Sequence, residues 1–168
     1  VRPPQFRVPL IFNSPHSGRV YPSAFLAASR LDSLTLRRSE DAYVEELFAC
    51  VTELGAPLLY AHFPRAYLDV NREPYELDPA LFRDGLPHYA NTQSVRVVGG
   101  LGTIARIVSE SDEIYREPLL VGAALERIND TVEDGFEAML RDVMAAGEEG
   151  CDNPEHDHSQ DDVPLSIW

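Results

Sequence analysis

Three groups of residues in this chain have side chains and spacing suited to chemistry. The first is His16, set in Ser14-Pro15-His16-Ser17-Gly18-Arg19. Imidazole is a good ligand for a first-row metal and a proton carrier near neutral pH. The alternative is a loop histidine with no task. The second group is Glu40-Asp41. These acids are either helix-start residues favoured by the helix dipole or a carboxylate ligand delivered beside His16. Glu40 is also the one candidate for a general base. The third is Phe63-Pro64-Arg65-Ala66-Tyr67-Leu68-Asp69-Val70-Asn71-Arg72, with two arginines seven apart. Each guanidinium can clamp a carboxylate through paired hydrogen bonds, and Asn71 can add an amide donor. The competing reading is a surface ion-pair network with Glu73, Glu76 and Asp78. Gly99-Gly100-Leu101-Gly102 followed by Arg106 lacks both the Gly-Lys-Ser/Thr of a phosphate loop and the G-x-G-x-x-G of a dinucleotide fold.

These groups need elements to position them. Residues 8–13, VPLIFN, form an apolar run ending at Ser14-Pro15, the pattern of a buried strand feeding a loop. Pro22 to Leu31 is weakly helical. A helix is predicted from Ser39 as N-cap, with Tyr43, Val44, Leu47, Phe48, Val51 and Leu54 on one face and Gly55 as its stop. Cys50 on that pattern reads as a small buried hydrophobe. Residues 57–61, PLLYA, are a second buried strand, so residues 8–61 read as β-loop-α-β, the start of an α/β fold. A histidine at the carboxyl end of such a strand points into the crevice where ligands bind. Residues 63–93 look irregular, carrying function rather than core. Val95 to Val98 is a possible third strand, and a long helix is predicted from Pro118 to Gly147.

The charge is uneven. The 168 residues carry 28 acids against 14 basic residues, all arginine, for a net charge of −14. Residues 130–168 hold 12 of those acids and one arginine. This balance argues against a nucleic-acid partner or an anionic membrane surface. No apolar run approaches the roughly 20 residues of a bilayer span, and no secretory signal is visible. Two cysteines, Cys50 and Cys151, make no disulfide framework. The expectation is a soluble cytoplasmic protein with one α/β domain over residues 1–147 and a disordered acidic tail over 148–168.

Taken together, SPHSGRVYP (14–22), RRSEDAYVEELF (37–48), FPRAYLDVNREP (63–74) and GGLGTIAR (99–106) resemble the N-formylglutamate amidohydrolase family. The Asp-Val-Asn-Arg piece also looks like the Asp-Leu-Asn-Arg segment of the related zinc acylases aspartoacylase and succinylglutamate desuccinylase, where Asn and Arg hold the substrate carboxylate. The resemblance implies a three-layer α/β/α zinc-hydrolase fold, incomplete at the C-terminus. It implies hydrolysis of N-formyl-L-glutamate to formate and glutamate, a step of amino-acid catabolism, with zinc or another divalent metal as cofactor. His16 would be the first metal ligand and Asp41, or else Glu40, the second; Arg65, Asn71 and Arg72 would recognise a small acidic N-acyl amino acid. Family members are longer, and their later strands carry an Asp-Cys-His-Ser histidine and a Glu base. Asp157-His158-Ser159 is a partial echo of the first, making His158 the candidate third ligand. The alternative expectation is a truncated, catalytically inactive member that serves as a binding module, or does not fold stably alone and self-associates through an unpaired sheet edge.

Overall fold

The apolar run that ends at Ser14 finds its partner in the run that ends at Tyr60. In the computed structural model, which describes residue 8, residues 10–109 and residues 111–131, strand β1 (Phe12–Ser14) lies parallel to β2 (Leu58–Tyr60). Phe12 stands opposite Leu58 and Ser14 opposite Tyr60. The crossover between them holds α1 (Ser23–Ala28), α2 (Ser33–Leu36), a 3-10 turn (Arg37–Ser39), α3 (Val44–Leu47) and a second 3-10 turn (Ala49–Thr52). Parallel strands need such a crossover, because no tight turn can join them. After β2 come α4 (Val95–Val98), the antiparallel pair β3 (Ile107–Val108) and β4 (Asp112–Glu113), and α5, helical through residues 121–131.

The helix expected from Ser39 to Leu54 is broken up. Ser39 closes a 3-10 turn, its hydroxyl donating back to the Leu36 carbonyl. Glu40 and Asp41 precede α3 rather than opening it, and Tyr43 before its first turn is left-handed at φ 66°. Of the expected apolar face only Val51 is buried, while Leu47 and Leu54 are more than 70% exposed. Cys50 is exposed as well, contrary to expectation. The reason is that β1 and β2 take up little of this surface: Val51, Ala56 and Leu58 form a small separate cluster against Phe12 and Tyr60. Gly55, at φ 96°, turns the chain into β2.

Val95–Val98 is also helical, not a third strand. The Ser94 hydroxyl accepts the Val97 N–H at 3.1 Å, and the chain leaves through Gly99 and Gly100, the latter at φ 76°. A side-chain cap and one buried residue, Val97, outweigh the extended preference of three valines.

The irregular segment 63–93 carries core after all. Ala66, Leu68, Leu77, Leu81 and Phe82 are buried with Phe25, Leu36, Ile104, Ile114 and Ile128 in the main cluster. Phe25 is ringed by Tyr67 and Tyr115, edge-on at 5.5 and 5.9 Å. The segment stays irregular because its backbone groups pair across the fold instead of locally. The Asp69 N–H donates to the Thr103 carbonyl, the Thr103 N–H to the Glu76 carbonyl and the Leu77 N–H to the Asn91 carbonyl. Glu76, which the ion-pair reading placed at the surface, is buried. The expected helix from Pro118 begins, among the described residues, at 121, where the Asp84 carboxylate accepts the Val121 N–H. The remainder of that helix, Cys151 and the expected tail lie outside the described residues. No helix among the described residues is long and apolar enough to cross a membrane.

Candidate functional site

His16 sits in the loop just past the carboxyl end of β1, and three ties hold that loop. The Val20 N–H donates to the His62 carbonyl at 2.8 Å, and the Asp41 N–H to the His16 carbonyl at 3.0 Å. Arg19 reaches Glu45 and Glu46 of α3, each at 2.7 Å, and stacks over the Tyr43 ring. Ser14 and Ser17, both buried, share a 2.8 Å hydroxyl bond across the loop. The backbone on either side of His16 is thereby tied down.

The imidazole lies between two carboxylates. Its Nε2 is 2.8 Å from Asp69 Oδ1 and its Nδ1 is 3.4 Å from Asp41 Oδ2. An ionised carboxylate only accepts, so the short Asp69 bond puts the proton on Nε2. Nδ1 faces a second acceptor, Asp41 Oδ2, at a distance too long for a good hydrogen bond. Two donors bound at about 2.0–2.2 Å to one tetrahedral zinc ion stand about 3.3–3.6 Å apart. The His16–Asp41 spacing fits that requirement, and a carboxylate behind the other ring nitrogen is the usual companion of a metal-ligating histidine. Among the described residues, no third His, Cys, Asp or Glu joins them to hold a metal. His158 lies outside the described residues.

Asp69, which the sequence reading passed over, is the hub. It is 3% exposed and takes the Arg65 guanidinium at 2.9 Å, Arg72 at 3.6 Å and the Asn71 N–H at 3.0 Å, besides His16. Burial alone would push its carboxyl up. The His16 bond and charge, the Arg65 charge and the Asn71 N–H together hold it at about 2 instead of the ordinary 3.8. The signal in the sequence is an acid flanked by arginines four residues before and three after it.

This lowering has a sign that can be tested. A carboxyl held below its unfolded value binds fewer protons in the folded state, so it stabilises the fold fully above about pH 4 and loses that contribution as pH falls toward 2. The contribution is about 2 kcal/mol. Urea titrations of wild type and Asp69→Asn should show a stability gap that shrinks as pH falls from about 4 to 2. A gap independent of pH over that range would refute the assignment.

The other expected residues fall in different places. Glu40 has both carboxylate oxygens occupied: Tyr21 donates to one at 2.7 Å and Arg37 to the other at 3.2 Å, and its side chain is 1% exposed. Burial, then the bond to Glu40, pushes the Tyr21 hydroxyl well above its ordinary range. Glu40 so placed braces the turn before Asp41; the one acid the sequence offered as a general base is taken up in holding the fold. A cleft of about 340 Å³ opens beside Asp41 and Asp69, and Arg65, Arg38 and Arg96 line it. Of the expected clamp, Arg65 reaches this cleft. Arg72 has its Nε and Nη1 bound to the carbonyls of Leu101 and Asn71, and Asn71 offers its backbone to Asp69.

The structure is a mixed helix–strand fold in which the loops after β1 and before α3 bring a histidine and a carboxylate together near an arginine-lined cleft. The structure is similar to the crystal structure of N-formylglutamate amidohydrolase from Ralstonia eutropha JMP134, with a TM-score of 0.75 and 32% identity. The match covers 88% of this chain and 52% of that one, so the chain spans about half the length of that protein. The family model for N-formylglutamate amidohydrolase matches residues 8–149, and the chain belongs to that family. Among curated proteins, none matches it.

Proposed function

We propose that this chain supplies the metal-binding and substrate-binding half of a metal-dependent amidohydrolase that cleaves N-formyl-L-glutamate, on a three-layer α/β/α fold. The observation that carries the reading is the His16 Nδ1–Asp41 Oδ2 pair at 3.4 Å, backed by Asp69 on Nε2. His16 and Asp41 would hold zinc or another divalent metal. Such an ion, when bound, polarises an amide carbonyl and brings the pKa of its water to near 7.

The chain's own residues do the rest of the work. Asp69 holds a proton on Nε2, which leaves Nδ1, on the Asp41 side, as the ring nitrogen that would bind the metal. Arg65 uses one amino group on Asp69 and retains further N–H donors toward the cleft, where a carboxylate next to the scissile amide can be received. Arg72 and Asn71 hold Asp69 and the loop, which makes their part in recognition indirect. His158 is the candidate for a third ligand.

Zinc titrated into metal-free protein, followed by N-formyl-L-glutamate into the loaded protein, tests this reading. Zinc binding should weaken by roughly 100-fold or more in His16→Ala and in Asp41→Ala, and N-formyl-L-glutamate should bind the loaded wild type. A protein that takes up no zinc, or whose zinc is indifferent to His16, sinks the proposal. A protein that binds the acid equally well without metal favours a binding module instead.

A further inference from the structure

We infer that Arg96 is the specificity-determining residue for the side-chain carboxylate of the acidic substrate. Three arginines line the cleft beside Asp41, and two are already engaged: Arg65 with Asp69 at 2.9 Å and Arg38 with Asp112 at 3.2 Å. Arg96 is exposed, and among the described residues no side chain or carbonyl pairs with its guanidinium. Its backbone is nevertheless well held. The Leu101 N–H donates to the Arg96 carbonyl at 2.8 Å, and the neighbouring Val97 is 1% exposed in the core beneath α4. Gly102, whose Cβ would run into the Glu76 carbonyl oxygen, lets the following loop close against residue 76 and complete that wall.

An anchored arginine with no partner among the described residues, on the same cleft as Arg65, offers its guanidinium fork to an outside carboxylate. Arg65 and Arg96 differ in their ties to the reacting end. Arg65 shares Asp69 with His16, so it lies next to the reacting end and suits a carboxylate adjoining the amide. Arg96 comes from α4, with no bond to His16 or its partners, and suits a carboxylate farther along the substrate. The inference rests on the proposed amidohydrolase reading and adds to it the residue that tells glutamate from glutamine.

The test compares N-formyl-L-glutamate with N-formyl-L-glutamine by calorimetric titration into the zinc-loaded full chain, wild type and Arg96→Gln. Wild type should prefer the dicarboxylate by roughly tenfold or more, the value of one charge-assisted contact. Arg96→Gln should erase that preference while leaving N-formyl-L-glutamine binding unchanged. Because Arg96 is exposed and has no partner among the described residues, the variant should keep the wild-type circular dichroism. A variant that still discriminates tenfold overturns the assignment of Arg96 and leaves the amidohydrolase reading standing. A wild type that binds neither compound overturns both.

Discussion

Gly18→Ala is expected to destabilise the fold by about 3 kcal/mol or more, the upper end of what overpacking costs. The reason is contact rather than backbone freedom. A Cβ on Gly18 would overlap the Phe63 carbonyl oxygen and stand 2.6 Å from the carbonyl carbons of His62 and Phe63. All three are backbone atoms, so no side chain can swing away to make room. The loop after β1 and the strand end after β2 would have to separate, breaking the 2.8 Å bond from the Val20 N–H to the His62 carbonyl. His16 is two residues from the collision. Chemical denaturation should therefore show the loss of stability, and zinc titration on whatever remains folded should show weakened binding. A variant as stable as wild type would mean that residues 62–63 pack differently from this arrangement.

The part of the site that was legible in the sequence is the part set by local pattern. An apolar run followed by Ser-Pro-His-Ser-Gly places His16 at a strand end, and the return run PLLYA places the second strand beside it. The family blocks then put Asp41 within reach. What failed was extent and depth. A 3.6-residue period from Tyr43 to Leu54 predicted one long helix, but a helix persists only where a partner covers its stripe, and here the partner is two strands of three residues. The Pro- and Asp-rich stretch 63–93 looked like surface because its residues lack periodicity. Its leucines are buried all the same, since long-range backbone bonds replace the local ones.

The arginines show a second limit. Nearby acids in sequence, Glu73, Glu76 and Asp78, were the natural candidates to pair with Arg65 and Arg72. The observed partner is Asp69, inside the same motif, because it alone is carried into the interior beside His16. Charge pairing follows the fold: Asp78 is buried too but pairs with Arg106, Glu73 accepts from Asn91, and Asp69 is the buried carboxylate placed between Arg65, Arg72 and His16. Sequence spacing cannot rank those acids until the fold has placed one of them beside the guanidinium groups.

Asp69→Ala should be the most damaging substitution at the site, costing about 3–5 kcal/mol in stability. Removing the carboxylate strips the second charge from Arg65 and Arg72 together and leaves the Asn71 N–H and the His16 Nε2–H without their acceptor. The cost exceeds the roughly 2 kcal/mol carried by the carboxyl's own lowered pKa, because the partners left behind are themselves partly buried and now unpaired. Asp69→Asn separates this structural cost from a metal-related one. The amide oxygen can still accept from Nε2, so the ring should stay in place, but the negative charge that makes imidazole a stronger donor on its far side is gone. Zinc affinity in Asp69→Asn should then fall about 10–100-fold, the usual effect of losing such an outer partner, with a smaller loss of stability than in Asp69→Ala. If Asp69→Asn binds zinc as wild type does, Asp69 serves the fold alone, and the placing of the proton on Nε2 has no bearing on the metal.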